Sequence, residues 1–253
     1  MLLLPAFVVG VLAVRDLPRR PSSLETATVT ALGCAAGAAF LIALLGWVVS
    51  GHNAVVDLDH DIASWAADHG GHFEHRVVRA VTRLGASDVA RVLLVVVGVV
   101  QLVRKPSVWL ALFVGAVWLG DAVLVREIKD LVGRARPDVS AAATLVDPSF
   151  PSGHTTNAAA CYAAVALLLG VGCSRTTRAT LLGIAVGIAV AVAASRVLLT
   201  VHWFTGVVAG LALGWGWCAL CAAAFGRTLF APAGGVATTA RAGKSPPPGK
   251  MER

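Results

Sequence analysis

Six apolar runs alternate with polar segments along the chain. They fall at about residues 27–49, 88–103, 107–126, 154–172, 179–199 and 203–225. A helix of about 20 apolar residues crosses the ~30 Å hydrocarbon core of a bilayer, and most of the runs approach that length. The run at 88–103 is shorter and needs its flanking residues to complete a crossing. The pattern therefore predicts an all-α membrane protein, a bundle of six transmembrane helices.

Other segments are not predicted to cross the membrane. The apolar stretch Met1–Val14 is too short and lacks the positive start of a signal peptide. We predict an interfacial segment there, or upstream sequence from a misplaced start, rather than a seventh crossing. The stretch 50–87 forms a loop whose middle, VDLDHDIASWAADH, repeats apolar residues at helical spacing, which predicts an amphipathic helix on the membrane surface. The predicted units are an N-terminal apolar and basic stretch at 1–24, a membrane domain at 25–225, and a disordered cytoplasmic tail at 226–253.

Composition strengthens the membrane prediction. Hydrophobic residues make up 57% of the 253 positions and charged residues 14%, whereas a soluble domain carries about a quarter charged residues. The net charge of +7 comes from basic residues in short loops between apolar runs, so it indicates a membrane surface or anionic headgroup as partner and not a nucleic acid. The cysteines are interpreted as small packing residues without a metal or redox role: Cys34, Cys161, Cys173, Cys218 and Cys221.

The loop at 50–87 is rich in histidine and aspartate. A calcium loop needs a glycine at its sixth position, which the segment DLDHDI lacks. The spacing of His69, His72 and His75 matches no common zinc pattern. We therefore predict a solvated interfacial face here and no metal site.

Three polar islands interrupt the apolar chain. They are KDLVGRARP (Lys129–Pro137), PSGH (Pro151–His154) and SRVLLTVHWFTGVVAG (Ser195–Gly210). With six alternating spans and both chain ends in the cytoplasm, where most Lys and Arg residues then lie, all three islands fall on the outer side. Charged side chains at membrane depth are costly and indicate function. We expect the islands to converge on one site.

The residue types in these islands indicate a phosphate site. Lys129, Arg136 and Arg196 supply cations, and Ser152 and Gly153 open a helix whose N-terminal N–H groups favour an anion. Two histidines can divide phosphoryl transfer: one attacks phosphorus and the other protonates the departing oxygen. Each island alone is typical of a helix end or an interfacial residue. Their combination on one face favours catalysis.

The pattern Lys129-x6-Arg136-Pro137, then Pro151-Ser152-Gly153-His154, then Ser195-Arg196-x5-His202 resembles the three-part motif of the type 2 phosphatidic acid phosphatase (PAP2) family. The likeness extends from about residue 25 to 225. It implies a six-helix bundle related to vanadium haloperoxidases, with no metal and no cofactor. It further implies His202 as the nucleophile that forms a phosphohistidine and His154 as the general acid. The implied phosphate ligands are Lys129, Arg136, Ser152, Gly153 and Arg196.

One position departs from the family motif. The third motif continues His-x3-Asp, and the chain has Gly206 where the aspartate would stand. That carboxylate would accept the far imidazole N–H of His202. Replacing Gly206 by aspartate should then raise turnover by about one to three powers of ten if the missing carboxylate limits the reaction. If another acidic residue or a water already orients the imidazole, the change should add little or lower activity.

These observations favour an integral membrane phosphatase of bacterial origin. We expect it in the plasma (inner) membrane with its site on the outer, periplasmic face. The candidate substrates are a polyprenyl diphosphate, phosphatidylglycerophosphate and phosphatidic acid. One alternative is a protein impaired by Gly206 that binds lipid phosphate without efficient turnover. Another is a transporter, which would need charges buried mid-span, whereas the polar residues other than Asp121 cluster at one membrane face. The sequence favours no oligomeric state.

Overall fold

The computed structural model describes residues 21–69, 75–138 and 147–229. These residues form eight helices and no strand: α1 (Pro21–Val48), α2 (Ala54–His69), α3 (His75–Leu84), α4 (Ser87–Arg104), α5 (Val108–Val132), α6 (Gly153–Leu169), α7 (Arg175–Leu198) and α8 (Phe204–Leu229). The all-α prediction is confirmed for this part of the chain. The predictions for Met1–Val14 and His72 lie outside the described residues. Of the tail predicted at 226–253, residues 226–229 form the last turn of α8, and the rest lies outside the described residues.

Local sequence explains where the helices that carry the polar islands start and stop. Gly133 ends α5 in the left-handed conformation, with φ of 60° and its N–H bonded to the Lys129 carbonyl, an arrangement that glycine adopts without steric cost. Ser174 caps α7 by accepting a hydrogen bond from the Thr177 N–H. Lys129 therefore lies in the last turn of α5, and Arg196 in the last turn of α7.

Helix α6 is the centre of the bundle and packs against α4, α5, α7 and α8. Small residues allow the close approach: a Cβ added at Gly214 of α8 would lie 2.4 Å from the Thr156 carbonyl oxygen and 2.6 Å from the Ala159 Cβ. Such contacts are typical of membrane helices, where packing of small residues replaces a hydrophobic driving force. The first turn of α6 is thereby fixed at one end of the bundle.

Four helices are long and apolar enough to cross a membrane, over Thr28–Val48, Val108–Val132, Arg175–Leu198 and Phe204–Phe225. Helices α3 and α4 form a further candidate, bent by 44° at the break between Leu84 and Ser87. The prediction of six spans is therefore not confirmed among the described residues. The run predicted at 154–172 became α6, whose 17 residues rise about 26 Å and begin with buried Thr155, Thr156 and Asn157.

The loop predicted at 50–87 contains two helices. Helix α2 matches the predicted amphipathic helix, whereas α3 was missed because its arginines Arg76, Arg79 and Arg83 were counted as loop residues. Those side chains are exposed, and α3 contacts the site-bearing helix α7. The backbone around Gly85, where α3 turns into α4, lies against α6, since a Cβ there would be 2.8 Å from the His154 carbonyl oxygen.

The buried carboxylate of Asp121 has a charged partner. Arg91 donates to Asp121 Oδ2 at 3.0 Å and to Asn157 Oδ1 at 3.1 Å, and Asn157 donates to the Gly85 carbonyl at 3.1 Å. A buried charge is tolerated when it is paired in this way. The pair links α4, α5 and α6 inside the bundle, so the mid-span charge needs no transport path to explain it.

Candidate active site

The three polar islands meet at one end of the bundle. Arg136 donates to the Val201 carbonyl at 2.9 Å, joining the first island to the third. The Ser152 N–H donates to the Gly206 carbonyl at 3.0 Å, joining the second to the start of α8. His154 and His202 both lie within the electrostatic reach of Arg196, Arg136 and Lys129. All the predicted catalytic and phosphate-binding residues therefore belong to one cluster.

The three cations are held differently. Lys129 forms a short ion pair with the carboxylate of Asp147, which Arg136 also contacts at 3.1 Å. Arg196 donates to the Thr82 hydroxyl at 3.0 Å, and its buried Nε has no hydrogen-bond partner among the residues described. A buried donor without a partner costs free energy. An anion bound at this site could satisfy it.

The start of α6 offers the helix N-terminus expected from the sequence. Ser152 is fully buried, and its hydroxyl accepts a hydrogen bond from Thr155 at 3.0 Å. A Cβ added at Gly153 would come no closer than 3.5 Å to a neighbouring heavy atom, at Val125. The N–H groups and dipole at a helix start favour a phosphate.

His202 is the more enclosed of the two candidate histidines, with 4% of its surface exposed. Its Nδ1 lies 2.7 Å from the Ser149 carbonyl oxygen, which can only accept, so Nδ1 carries the proton. Nε2 is left with a free lone pair, as a nucleophile requires. Burial, together with the positive charge of Arg196, holds the pKa of His202 well below 6.5 even though the Ser149 hydrogen bond acts in the opposite direction. The imidazole is thus neutral at neutral pH.

This lowered pKa predicts how activity depends on pH. Because the folded pKa lies below 6.5, His202 stays neutral at pH 6.5 and is protonated only at lower pH, so kcat/KM should fall on an acidic limb below pH 6.5. Substrate phosphate also ionises near pH 6. A variant separates the ionisation of the substrate from the protonation of His202. Arg196→Gln removes a positive charge that opposes protonation, so it should move the limb to higher pH. A wild-type limb above 6.5, or an unmoved limb in Arg196→Gln, would contradict the assignment.

Comparison with known proteins identifies the family. The model of the PAP2 superfamily matches residues 107–229. Phosphatidylglycerophosphatase B of Bacillus subtilis (strain 168) is 33% identical over 164 residues, which cover 64% of this chain and 80% of that protein. The chain belongs to the PAP2 superfamily.

Another relative and a solved PAP2 structure are also similar to the chain. Decaprenylphosphoryl-5-phosphoribose phosphatase of Mycobacterium tuberculosis (strain ATCC 25618 / H37Rv) is 37% identical over 140 residues, covering 54% of this chain and 72% of that protein. The crystal structure of a transmembrane PAP2 type phosphatidylglycerolphosphate phosphatase from Bacillus subtilis superposes with a TM-score of 0.67 at 28% identity, over 74% of this chain and 93% of that one. The chain is therefore an integral membrane phosphatase of the PAP2 type.

Gly206 stands where the PAP2 motif has an aspartate, and the structure supports another interpretation of this difference. The imidazole N–H of His202 is accepted by the Ser149 carbonyl. Of the acidic residues that could replace the missing carboxylate, Asp121 is paired with Arg91, Asp147 is paired with Lys129 and Arg136, and Asp138 is exposed. A Cβ at position 206 would lie 3.1 Å from that same Ser149 oxygen. The absence of a side chain at Gly206 thus leaves room for the Ser149 carbonyl that accepts from His202, a contact that the sequence pattern does not reveal.

The prediction of a solvated face on α2 is wrong for one residue. Asp59 is 1% exposed, and its Oδ1 accepts a hydrogen bond from the Thr205 N–H at 2.9 Å. A signal was available: Asp59 falls in the apolar stripe formed by Val56, Ala63 and Ala66 on this helix. An acidic residue inside an apolar stripe indicates a buried partner.

Proposed function

We propose that this PAP2 phosphatase hydrolyses a lipid phosphate or diphosphate through a phosphohistidine formed on His202. The observation that carries the proposal is the state of His202: buried, with Nδ1 bonded to Ser149 and Nε2 free beside three cations. Such an imidazole is ready to attack an anion that the cations hold.

The proposed reaction has two steps. His202 Nε2 attacks phosphorus, and the P–O bond to the lipid breaks. His154, which becomes protonated once the negative charge of the bound phosphate offsets the neighbouring cations, gives its proton to the leaving oxygen. Water then attacks the phosphohistidine, His154 takes the water's proton, and the P–N bond breaks to release phosphate. Lys129, Arg136 and Arg196 offset the charge on the phosphoryl oxygens in both transition states, with Ser152 and Gly153 at the helix start.

An apolar groove supports a lipid as the substrate. It measures about 640 Å³ and runs between α1, α5 and α8, past Ala39, Ala43, Ile128 and Val132. Ile128 and Val132 flank Lys129 on α5, so a hydrocarbon chain in the groove would leave its phosphate near the cations. The relatives are named as phosphatases of phosphatidylglycerophosphate and decaprenylphosphoryl-5-phosphoribose, and we extend lipid phosphate as a class to this chain.

Phosphate release by purified protein from long-chain lipid phosphates, polyprenyl diphosphates and a water-soluble aryl phosphate tests the proposal. We expect release that persists in EDTA. Ala43→Phe narrows the groove and should raise KM several-fold for long-chain substrates only, whereas Ala36→Phe, on the same helix outside the groove, should not. No release from any lipid, or an equal effect of both variants, would contradict the proposal.

The alternative is a protein that binds lipid phosphate without efficient turnover. It would require that no group orients the imidazole of His202. The Ser149 hydrogen bond at 2.7 Å supplies that orientation without the family carboxylate. It therefore favours turnover over binding alone.

We propose further that the site faces the periplasm from the inner membrane, with α6 completing a six-span bundle. Asp138 lies exposed at the site end and Ser174 at the opposite end, between α6 and α7. In a Cys173→Ser background, Asp138→Cys should react with a membrane-impermeant thiol reagent in intact cells, and Ser174→Cys should react only after lysis. The reverse pattern would place the chemistry in the cytoplasm.

A further inference from the structure

We propose that Asp59, on the outer helix α2, is a positioning residue for His202, which it holds by fixing the start of α8. The inference rests on the proposed role of His202 as the nucleophile. Asp59 is distant in sequence from every motif of the site, and it lies outside the residues matched by the PAP2 model, 107–229.

The Asp59 carboxylate is buried and fully engaged. Oδ1 accepts from the Thr205 N–H at 2.9 Å, and Oδ2 accepts from the Thr205 hydroxyl at 2.5 Å and from Arg134 Nη1 at 2.7 Å. Its side chain has no exposed surface, and that of Arg134 is 10% exposed. A carboxylate is removed from water in this way only where hydrogen bonds and a cation compensate it.

The contact with Thr205 acts on the first turn of α8. That helix begins at Phe204, and its first N–H groups lack partners within the helix. Asp59 supplies an acceptor and a negative charge there, which the helix dipole also favours. His202 stands two residues before the helix, so fixing Thr205 limits how far the His202 backbone can move.

A second chain of contacts reaches the acceptor of the histidine. Arg134, held by Asp59, lies 4.7 Å from the ring centre of Trp203, the residue after His202. The Arg134 carbonyl accepts from the Ser149 N–H at 2.7 Å, and the Ser149 carbonyl accepts from His202. Asp59 is therefore connected to both partners of the hydrogen bond between His202 and Ser149. It reaches the donor His202 through Thr205, and the acceptor Ser149 through Arg134.

This arrangement predicts a loss of turnover rather than of binding. Lys129, Arg136 and Arg196 hold the phosphate independently of Asp59, whereas attack requires Nε2 to be in line with phosphorus. A displacement of about 1 Å costs on the order of 100-fold in rate. Asp59→Ala should therefore lower kcat by about 10- to 100-fold and change KM less than about threefold.

The experiment measures kcat and KM with a lipid phosphate for wild type, Asp59→Ala and Asp59→Asn. For the same three proteins it also measures inhibition by inorganic vanadate and by inorganic phosphate. Vanadate takes the five-coordinate geometry of the transition state when a nucleophile adds to it, and phosphate does not. Asp59→Ala should weaken vanadate inhibition about as much as it lowers kcat, and weaken phosphate inhibition less than about threefold. Asp59→Asn, which keeps an acceptor for the Thr205 N–H, should lie between wild type and alanine. Asp57→Ala, exposed on the same helix, is the matched control and should match wild type.

A second pair of variants addresses folding. Thr205→Ser keeps the hydroxyl that bonds Asp59, and Thr205→Val replaces it with a methyl group of similar size. Only Thr205→Val should repeat the loss of kcat and of vanadate affinity, whether or not Asp59→Ala can be purified. An unchanged kcat in Asp59→Asn and Thr205→Val, or equal weakening of vanadate and phosphate inhibition, would overturn the positioning role. A wild-type protein without lipid phosphatase activity would instead overturn the proposed function.

Discussion

Replacing His202 by alanine is expected to lower phosphate release by at least about 1,000-fold with every substrate, because removing a nucleophile costs up to about 10⁶ in kcat in a well-studied hydrolase. Labelled substrate should leave an acid-labile phosphoryl group on the wild-type protein and none on the variant. His52→Ala, exposed beyond the end of α1, is the control and should keep full activity. Phosphate release by His202→Ala at the wild-type rate would contradict the assignment of His202 as the nucleophile.

The two histidines can be told apart by the leaving group. A general acid contributes about 10²- to 10⁴-fold when the leaving oxygen is basic, as in an alkyl phosphate, and little when it is p-nitrophenolate. His154→Asn should therefore lose most of its activity on lipid phosphates and much less on p-nitrophenyl phosphate. His202→Ala should lose both equally. An equal loss on both substrates in His154→Asn would contradict its role as the acid.

Gly206→Asp is expected to lower turnover about tenfold or more, although sequence comparison alone suggests a gain if the missing carboxylate limits the reaction. The added Cβ would lie 3.1 Å from the Ser149 oxygen, closer than ordinary contact. Ser149 has little freedom to retreat, because its N–H and hydroxyl bond the Arg134 and Ala135 carbonyls at 2.7 and 2.6 Å. The added carboxylate would also be buried beside that carbonyl oxygen and would compete with it for the single imidazole N–H of His202.

Turnover of Gly206→Ala separates the two causes. Alanine adds the Cβ without the charge, so it should lose a smaller factor than aspartate if both the crowding and the carboxylate are harmful. Equal thermal unfolding temperatures in detergent would show that the variants are folded. Turnover of Gly206→Asp above that of wild type would show that the glycine does limit the enzyme.

Much of this site is visible in the sequence because its chemistry requires particular residues at fixed spacing. Lys129, Arg136, His154, Arg196 and His202 stand out as polar groups in apolar surroundings, where each must be compensated. Alternating spans then place them at one end of the bundle, and the structure does bring them together. The long apolar helices α1, α5, α7 and α8 follow from run length alone.

The features of the site that the sequence does not reveal depend on backbone groups and on burial by tertiary packing. A carbonyl such as that of Ser149 is present at every residue, so no pattern marks the one that accepts from His202. Asp59 differs from its exposed neighbours Asp57 and Asp61 only in its place on the apolar stripe of α2, and the sequence does not show that packing against α8 gives it partners there. The apolar run of α6 predicts a span like the others, because hydropathy does not show that other helices bury most of its residues.

The carboxylate of Asp147, which bridges Lys129 and Arg136, has a consequence for selectivity. If those cations bind the substrate as proposed, binding is an ion exchange in which the incoming headgroup must outcompete a resident anion. A phosphodiester, the common headgroup linkage of a bilayer, brings one negative charge and gains nothing electrostatically over the carboxylate. A terminal phosphate brings nearly two, and so it displaces Asp147 where the surrounding lipids do not. Because Asp147 is 60% exposed, water weakens the pair, so it would favour phosphomonoesters over the abundant phospholipids around them rather than exclude the latter.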